Sequence, residues 1–205
     1  MKYQWIILAL ALVAGLFTSF MMDSNDPDVA REPYYPMNFL ESGTEAIDLF
    51  NPEDKRIRLV YFGYTQCPDV CPTSLAVLAA ALKALPQQQR DQLWPVFISL
   101  DPNRDTAMIS AQYAAHFDNT ITGATGTEQQ IKALADTYGV LYIKNTLENS
   151  KIKYVIDHNS YFYFLKPNGD LIKKLPHLAN PSQLIATIPT ITAEMTNNGI
   201  IDNSQ

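Results

Sequence analysis

The chain has 205 residues, a formal net charge of −6 and 47% hydrophobic residues. That length suits one domain of ordinary size with appendages. The acidic balance argues against nucleic acid as a partner and leaves no basic patch for anionic lipid.

The first element is the run Trp5 to Met22, which is uncharged and apolar. As a helix it spans about 27 Å, close to one hydrocarbon core. Lys2 precedes it, and Asp23, Asp26 and Asp28 follow, so the positive-inside rule places the rest of the chain outside. A cleaved signal peptide is the competing reading. No clean small-x-small cleavage site and no lipid-accepting cysteine follow the run, so residues 1–22 are read as an uncleaved transmembrane anchor. The first arginine is Arg31, which disfavours an Arg-rich mitochondrial transit peptide. The expected location is the bacterial inner membrane, single pass, with the domain facing the periplasm.

Residues 23–53 are polar and carry Pro27, Pro33 and Pro36. They read as a linker or arm, with a short hairpin near Phe39 to Phe50 around Ser42-Gly43. The domain proper is expected over 54–195, with 196–205 a C-terminal tail. Ile57 to Tyr64 is a buried strand candidate. Pro72 to Leu85 reads as a helix with Leu75, Leu78, Leu82 and Leu85 on one face, and Pro72 at its first position would make Cys71 the N-cap. Val96 to Leu100 is a second apolar strand, and Thr106 to Phe117 a second helix. Thr127 to Gln130 resembles a capping box whose helix stops at Gly139. Val140 to Lys144 and Tyr154 to Ile156 are strand candidates. Tyr161 to Leu165 and Leu171 to Leu175 flank Asn168-Gly169, a hairpin signal. Asn180-Pro181 opens a last helix, which Pro189 is expected to kink or end. A βαβ unit followed by ββα is the thioredoxin pattern, so the fold class is α/β, thioredoxin-like, behind an N-terminal transmembrane anchor.

Cys67 and Cys71 are the only cysteines, and they sit at the junction of the first core strand and its helix. Ligands in open α/β sheets gather at the carboxyl ends of strands. In an oxidising compartment the pair could form a disulfide, but closing so short a loop gains little chain entropy. Helix N-terminal amides favour the thiolate. Two thiolates with one imidazole suit copper(I), whereas zinc wants a fourth ligand or an open water position. Of three histidines, His158 follows a strand candidate and could end above the cysteine turn. His116 closes an amphipathic helix, and His177 follows Pro176 in a turn and is expected to be solvated. Asp157 should alternate to the opposite face from His158. Asp101 to Thr106 reads as a polar turn in which Asp105 caps the next helix and Arg104 bridges the carboxylates. Tyr161 to Leu165 is expected to be a central strand covered on both faces. These residues leave two chemistries open: copper held by Cys67, Cys71 and His158, or electron exchange through the redox-active pair Cys67 and Cys71.

Tyr61-Phe-Gly-Tyr-Thr-Gln-Cys67-Pro-Asp-Val-Cys71-Pro resembles the signature of the SCO/SenC copper proteins, which assist cytochrome c oxidase assembly. Ser99 to Thr106, Ile121 to Ile131 and Val155-Ile-Asp157-His158-Asn-Ser, followed by Phe164 to Gly169, resemble further blocks of that family. The similarity runs from about Arg58 to Ile188. It implies a thioredoxin fold in which Cys67, Cys71 and His158 bind one copper ion. It also implies a carrier rather than an enzyme, serving the binuclear copper centre of oxidase subunit II or another copper-site client, with a periplasmic thiol reductant as a further partner. A thiol-disulfide oxidoreductase acting on the client's copper-site cysteines, or a copper or redox sensor, are the alternatives. Thioredoxin-type oxidoreductases generally set a cis-proline opposite their cysteine pair; the corresponding stretch here, Ile156-Asp157-His158, has none, which favours metal binding. The hairpin at Asn38 to Pro52 is degenerate, and Lys166-Pro-Asn-Gly replaces an acidic turn.

Overall fold

The computed structural model describes residues 37–147, 152–177, 180–197 and 199. The anchor segment Trp5 to Met22 lies outside them. Among the described residues no helix is long and apolar enough to cross a membrane.

In chain order come the hairpin β1 (Phe39–Ser42) and β2 (Glu45–Asp48), strand β3 (Ile57–Gly63), helix α1 (Val70–Ala84), a short helix α2 (Gln87–Asp91) and strand β4 (Leu93–Ser99). Helix α3 (Ala107–Phe117), strand β5 (Thr122–Ala124), helix α4 (Glu128–Tyr138) and the strands β6 (Tyr142–Thr146) and β7 (Tyr154–His158) follow. Strands β8 (Tyr161–Leu165) and β9 (Leu171–Pro176) and helix α5 (Ser182–Asn197) complete the order.

The main sheet runs β5-β4-β3-β8-β9. Strands β3, β4 and β5 are parallel, and β8 and β9 are antiparallel additions. All seven residues of β3 are buried, as expected for a central strand covered on both faces. Its side chains alternate between two cores. Leu59 and Tyr61 join Leu75, Leu78 and Leu82 of α1 and Leu184 and Ile188 of α5. Val60 and Phe62 join Leu40 and Leu49 around the hairpin and Ile131 and Leu134 of α4. Arg58 is fully buried on this strand. Its guanidinium donates to the carbonyls of Leu49, Asn51, Asp54 and Arg56, which satisfies the charge and gathers the segment that enters β3.

Several boundaries differ from the sequence reading for physical reasons. Strand β4 begins at Leu93 and passes through Pro95, because pairing with β5 starts only at Val96 and the missing N–H costs no ladder bond before that. Helix α5 runs through Pro189 without ending there; Leu184, Ile188, Ile191 and Met195 are buried on both sides of the proline, and that packing outweighs one lost bond. Strand β6 lies two residues later than expected, at Tyr142–Thr146, and β7 extends to His158. These two strands form a separate antiparallel sheet rather than joining the main one. The Thr127–Gln130 capping box is present, and α4 ends at Gly139 in the left-handed conformation with φ 67°.

Candidate metal centre

The carboxyl end of β3 and the first turn of α1 bring the two cysteines together. The helix begins at Val70 with Asp69 at the N-cap position, so Cys71 lies inside the first turn and does not cap it. Pro72 is tolerated there because the N–H groups of a first turn have no intrahelical acceptor. The first regular helical bond runs from Thr73 N to Asp69 O. Placing Cys71 inside the turn buries it fully, while Cys67 stays half-buried. Gly63 makes this approach possible: a Cβ there would lie 2.8 Å from Cys71 Sγ. A glycine inside an otherwise bulky strand is the sequence signal of such a close approach.

His158 arrives from the far end of β7. Its Nε2 lies 3.4 Å from Cys71 Sγ. Its Nδ1 is 3.2 Å from the carbonyl of Asn159; a proton on Nδ1 would find an acceptor there, which frees the Nε2 lone pair for a metal. The imidazole stands edge-on to Tyr61 and Tyr64. The sulfurs of Cys67 and Cys71 and the imidazole nitrogen all lie within 4.8 Å of one another. Three donors around one ion, at bonds of roughly 2.0–2.3 Å and 120°, would be about 3.8 Å apart. The constellation therefore fits a three-coordinate soft metal with small adjustments, and a set of two sulfurs and one nitrogen is the chemistry of copper(I).

The two thiols differ sharply in acidity. Hydrogen bonding from Cys71 pulls Cys67 down to about 3, aided by His158 and by the backbone N–H groups of Cys71 and Asp69 and opposed by burial. The Cys71 amide lies 3.4 Å from Cys67 Sγ. Cys71 moves the other way, pushed up by its bond to the Cys67 sulfur, by burial and by repulsion from the neighbouring thiolate. At neutral pH the pair thus holds one thiolate, on Cys67, with the Cys71 proton shared toward it. A cleft of about 460 Å³ opens on this side, between Cys67 to Val70 and Val155 to His158. An incoming partner can reach Cys67 and His158 from it, whereas Cys71 lies beneath.

The surrounding residues depart from the sequence reading in two places. Asp105 does not cap α3; Thr106 does, its side chain accepting from Ile109 N. Asp105 is buried instead and accepts from Thr65 N, Thr65 Oγ1 and Ser99 Oγ, which fixes the residue two before Cys67 onto the end of β4. His177 is not a solvated turn residue: its Nδ1 lies 2.6 Å from the buried Ser74 Oγ of α1. His116 sits exposed in the last turn of α3 against Phe117. Asp157 is exposed, lies outside the group of three ligand atoms and accepts from Asn145 Nδ2 at 2.6 Å. Arg104 does bridge to Asp101, and it reaches further than sequence reasoning allowed.

A thioredoxin-like α/β fold with two cysteines and a histidine gathered at the strand–helix junction defines a metal-binding thiol protein. The chain belongs to the SCO1/SenC family, to which residues 52–193 match. It is 32% identical to an SCO2-like protein of Rickettsia felis over 191 residues, 88% of this chain and 93% of that protein. It is 38% identical to an SCO2-like protein of Rickettsia typhi over 84% of this chain and 89% of that protein. Among solved structures, Arabidopsis thaliana ScoI with copper bound is similar at 32% identity and TM-score 0.60, over 68% of this chain and 86% of that one. Bradyrhizobium japonicum ScoI with copper bound is similar at 28% identity and TM-score 0.63, over 74% and 96%.

Proposed function

We propose that the chain is a membrane-anchored copper metallochaperone that binds one copper ion through Cys67, Cys71 and His158. It assists assembly of the binuclear copper centre of cytochrome c oxidase, with subunit II or another copper-site client receiving the metal. The observation that carries this reading is the convergence of the Cys67 and Cys71 sulfurs and a His158 ring nitrogen within 4.8 Å of one another; copper in two similar structures supports the choice of metal. Copper is cargo here, so the site must release it as well as hold it. Half-exposed Cys67 and His158 are open to exchange with a client's ligands, and buried Cys71 keeps hold until the transfer is complete. The pair also acts as a redox gate. A two-electron oxidant converts the Cys67 thiolate and Cys71 thiol to a disulfide with loss of one proton, which leaves no thiolate donor. A periplasmic dithiol reductant resets it, becoming a disulfide itself and releasing one proton as Cys67 returns to thiolate and Cys71 to thiol.

A second reading, thiol-disulfide exchange with the client's copper-site cysteines, is favoured by one observation: the half-exposed Cys67 is the stronger acid of the pair and is held as a thiolate. A copper or redox sensor would use the same residues. His158→Ala separates the carrier from the reductase. It leaves both thiols in place, so attack on a disulfide persists, while copper(II), the harder ion, loses its nitrogen donor and suffers more than copper(I). Normal binding of both copper states and normal oxidase assembly under limiting copper in His158→Ala would sink the chaperone reading.

The layout proposed around the site is an anchor over 1–22, a linker over 23–53, the copper-binding domain over 54–195 and a tail over 196–205, held at the inner membrane with the domain in the periplasm. A periplasm-dependent reporter fused after Asp54 should be active; activity of a cytoplasm-only reporter there would reverse the orientation.

A further inference from the structure

His158 reaches the sulfurs from a two-stranded sheet that shares no strand with the main one. Its outward face buries little: Ile143 of β6 is 66% exposed, and Leu141, just before that strand, 73%. On the inner side, Ile156 is the one residue of β6 and β7 buried in the main core, with Tyr142 and Tyr154 packed partly against it; the rest of the hairpin's position depends on polar fastenings. The densest group of them centres on Arg104. Its Nη1 donates to the carbonyls of Ile152 and Tyr154 at 3.1 and 3.0 Å, and its guanidinium lies 3.7 Å over the Tyr154 ring. Its Nε pairs with Asp101, whose other oxygen accepts from Tyr154 OH at 2.7 Å. Asp101 is fully buried at the end of β4. The same guanidinium reaches Gln66 Oε1 at 3.3 Å, one residue before Cys67. One position along, Asp105 holds Thr65. A single turn, 101–105, thus grips the cysteine arm with one residue and the histidine arm with another.

On the reading that Cys67, Cys71 and His158 hold copper, we propose that Arg104 is a positioning residue for the site. By clamping the start of β7 against Asp101 it sets where His158, four residues or about 13 Å further along the strand, meets the sulfur pair. The fork geometry matters, because a lysine ammonium cannot serve two carbonyls and a carboxylate while stacking on a ring.

The test uses the reduced full-length protein in detergent, with Arg104→Lys and Arg104→Ala made both alone and with His158→Ala. With His158 present, each substitution should lower copper(II) affinity about 10- to 100-fold, the usual cost of losing an outer support of a ligand. It should also move the sulfur-to-copper(II) absorption toward that of His158→Ala. In the His158→Ala background the same substitutions should change affinity by less than about twofold, since a residue acting through the imidazole has nothing left to position. In the metal-free protein, amide exchange should quicken over 154–158 and stay unchanged over β3. Equal losses in the two backgrounds would overturn the proposal in favour of a purely structural role, as would wild-type affinity and spectrum in both variants. If Arg104→Ala does not fold, Arg104→Lys, which keeps the charge, carries the test. Wild-type copper(II) binding in His158→Ala alone would defeat the ligand reading itself, a different result from failure of the Arg104 variants, and the amide-exchange comparison would still decide whether Arg104 fastens the hairpin.

Discussion

The two arms of the metal centre are built in opposite ways. The cysteine arm grows out of β3, where every residue is buried, and runs into α1, whose leucines lie in the same core. The histidine arm is a two-stranded sheet with Ile143, and Leu141 just ahead of it, facing solvent. Burial stabilises the first by roughly 1.5–3 kcal/mol for each large apolar side chain; the second has Ile156 alone fully buried and otherwise depends on hydrogen bonds and a cation stacked on a ring. A site joined from a fixed half and an adjustable half can bind a metal and still open to give it up. The difference also predicts where mutations hurt.

The largest effect should come from the fixed half. Cys71→Ser replaces a soft thiolate with a hard hydroxyl at the most enclosed position, and copper(I) binding at this site should be lost. Metal content after dialysis of the reduced protein reads this directly, and stoichiometric retention would remove Cys71 from the ligand set. Next comes Leu78→Ala, which opens a cavity beneath α1 and should lower unfolding stability by about 2–5 kcal/mol. Denaturant titration measures it, and a loss below about 1 kcal/mol would show that the cysteine arm is not anchored by that core. Asp105→Ala strands the Thr65 amide and the Ser99 hydroxyl. A cost of about 3 kcal/mol is expected, with a lower copper(I) affinity because the turn before Cys67 loosens.

The acidity split gives a gentler test. With Cys67 held down to about 3, it stays a thiolate at every pH from 5 to 8, so its alkylation rate should be nearly flat over that range. An ordinary thiol would slow about tenfold for each unit of acidification. Cys71, shifted upward by the same contact, should react only after Cys67 is blocked or the protein unfolds. Peptide mapping of the alkylated sites assigns the order; a tenfold slope at Cys67 would contradict it. The smallest effect belongs to the exposed half. Ile143→Thr on β6 should change stability by no more than about 0.5 kcal/mol, and a loss as large as that of Leu78→Ala would erase the contrast between the arms.

The edge strand β5 and the short helix α2 were not legible in the sequence, whereas most of the strands and helices, the α4 capping box with its Gly139 stop, and the candidate ligand set Cys67, Cys71 and His158 were. Local rules sufficed there. Alternation and helical spacing report burial directly, capping chemistry acts within one turn, and two cysteines beside a strand end leave few alternatives. Other features rest on contacts between segments far apart in the chain. Cys71 entered the helix rather than capping it, because its burial against Gly63 is a packing matter. Asp105 passed over its local cap to hold Thr65, forty residues away, and His177 found Ser74 across more than a hundred. Arg104 reached the β7 hairpin in the same way. A polar side chain drawn inside must find a partner wherever the fold supplies one. The sequence says that such a residue needs a hydrogen bond; only the folded chain says with whom.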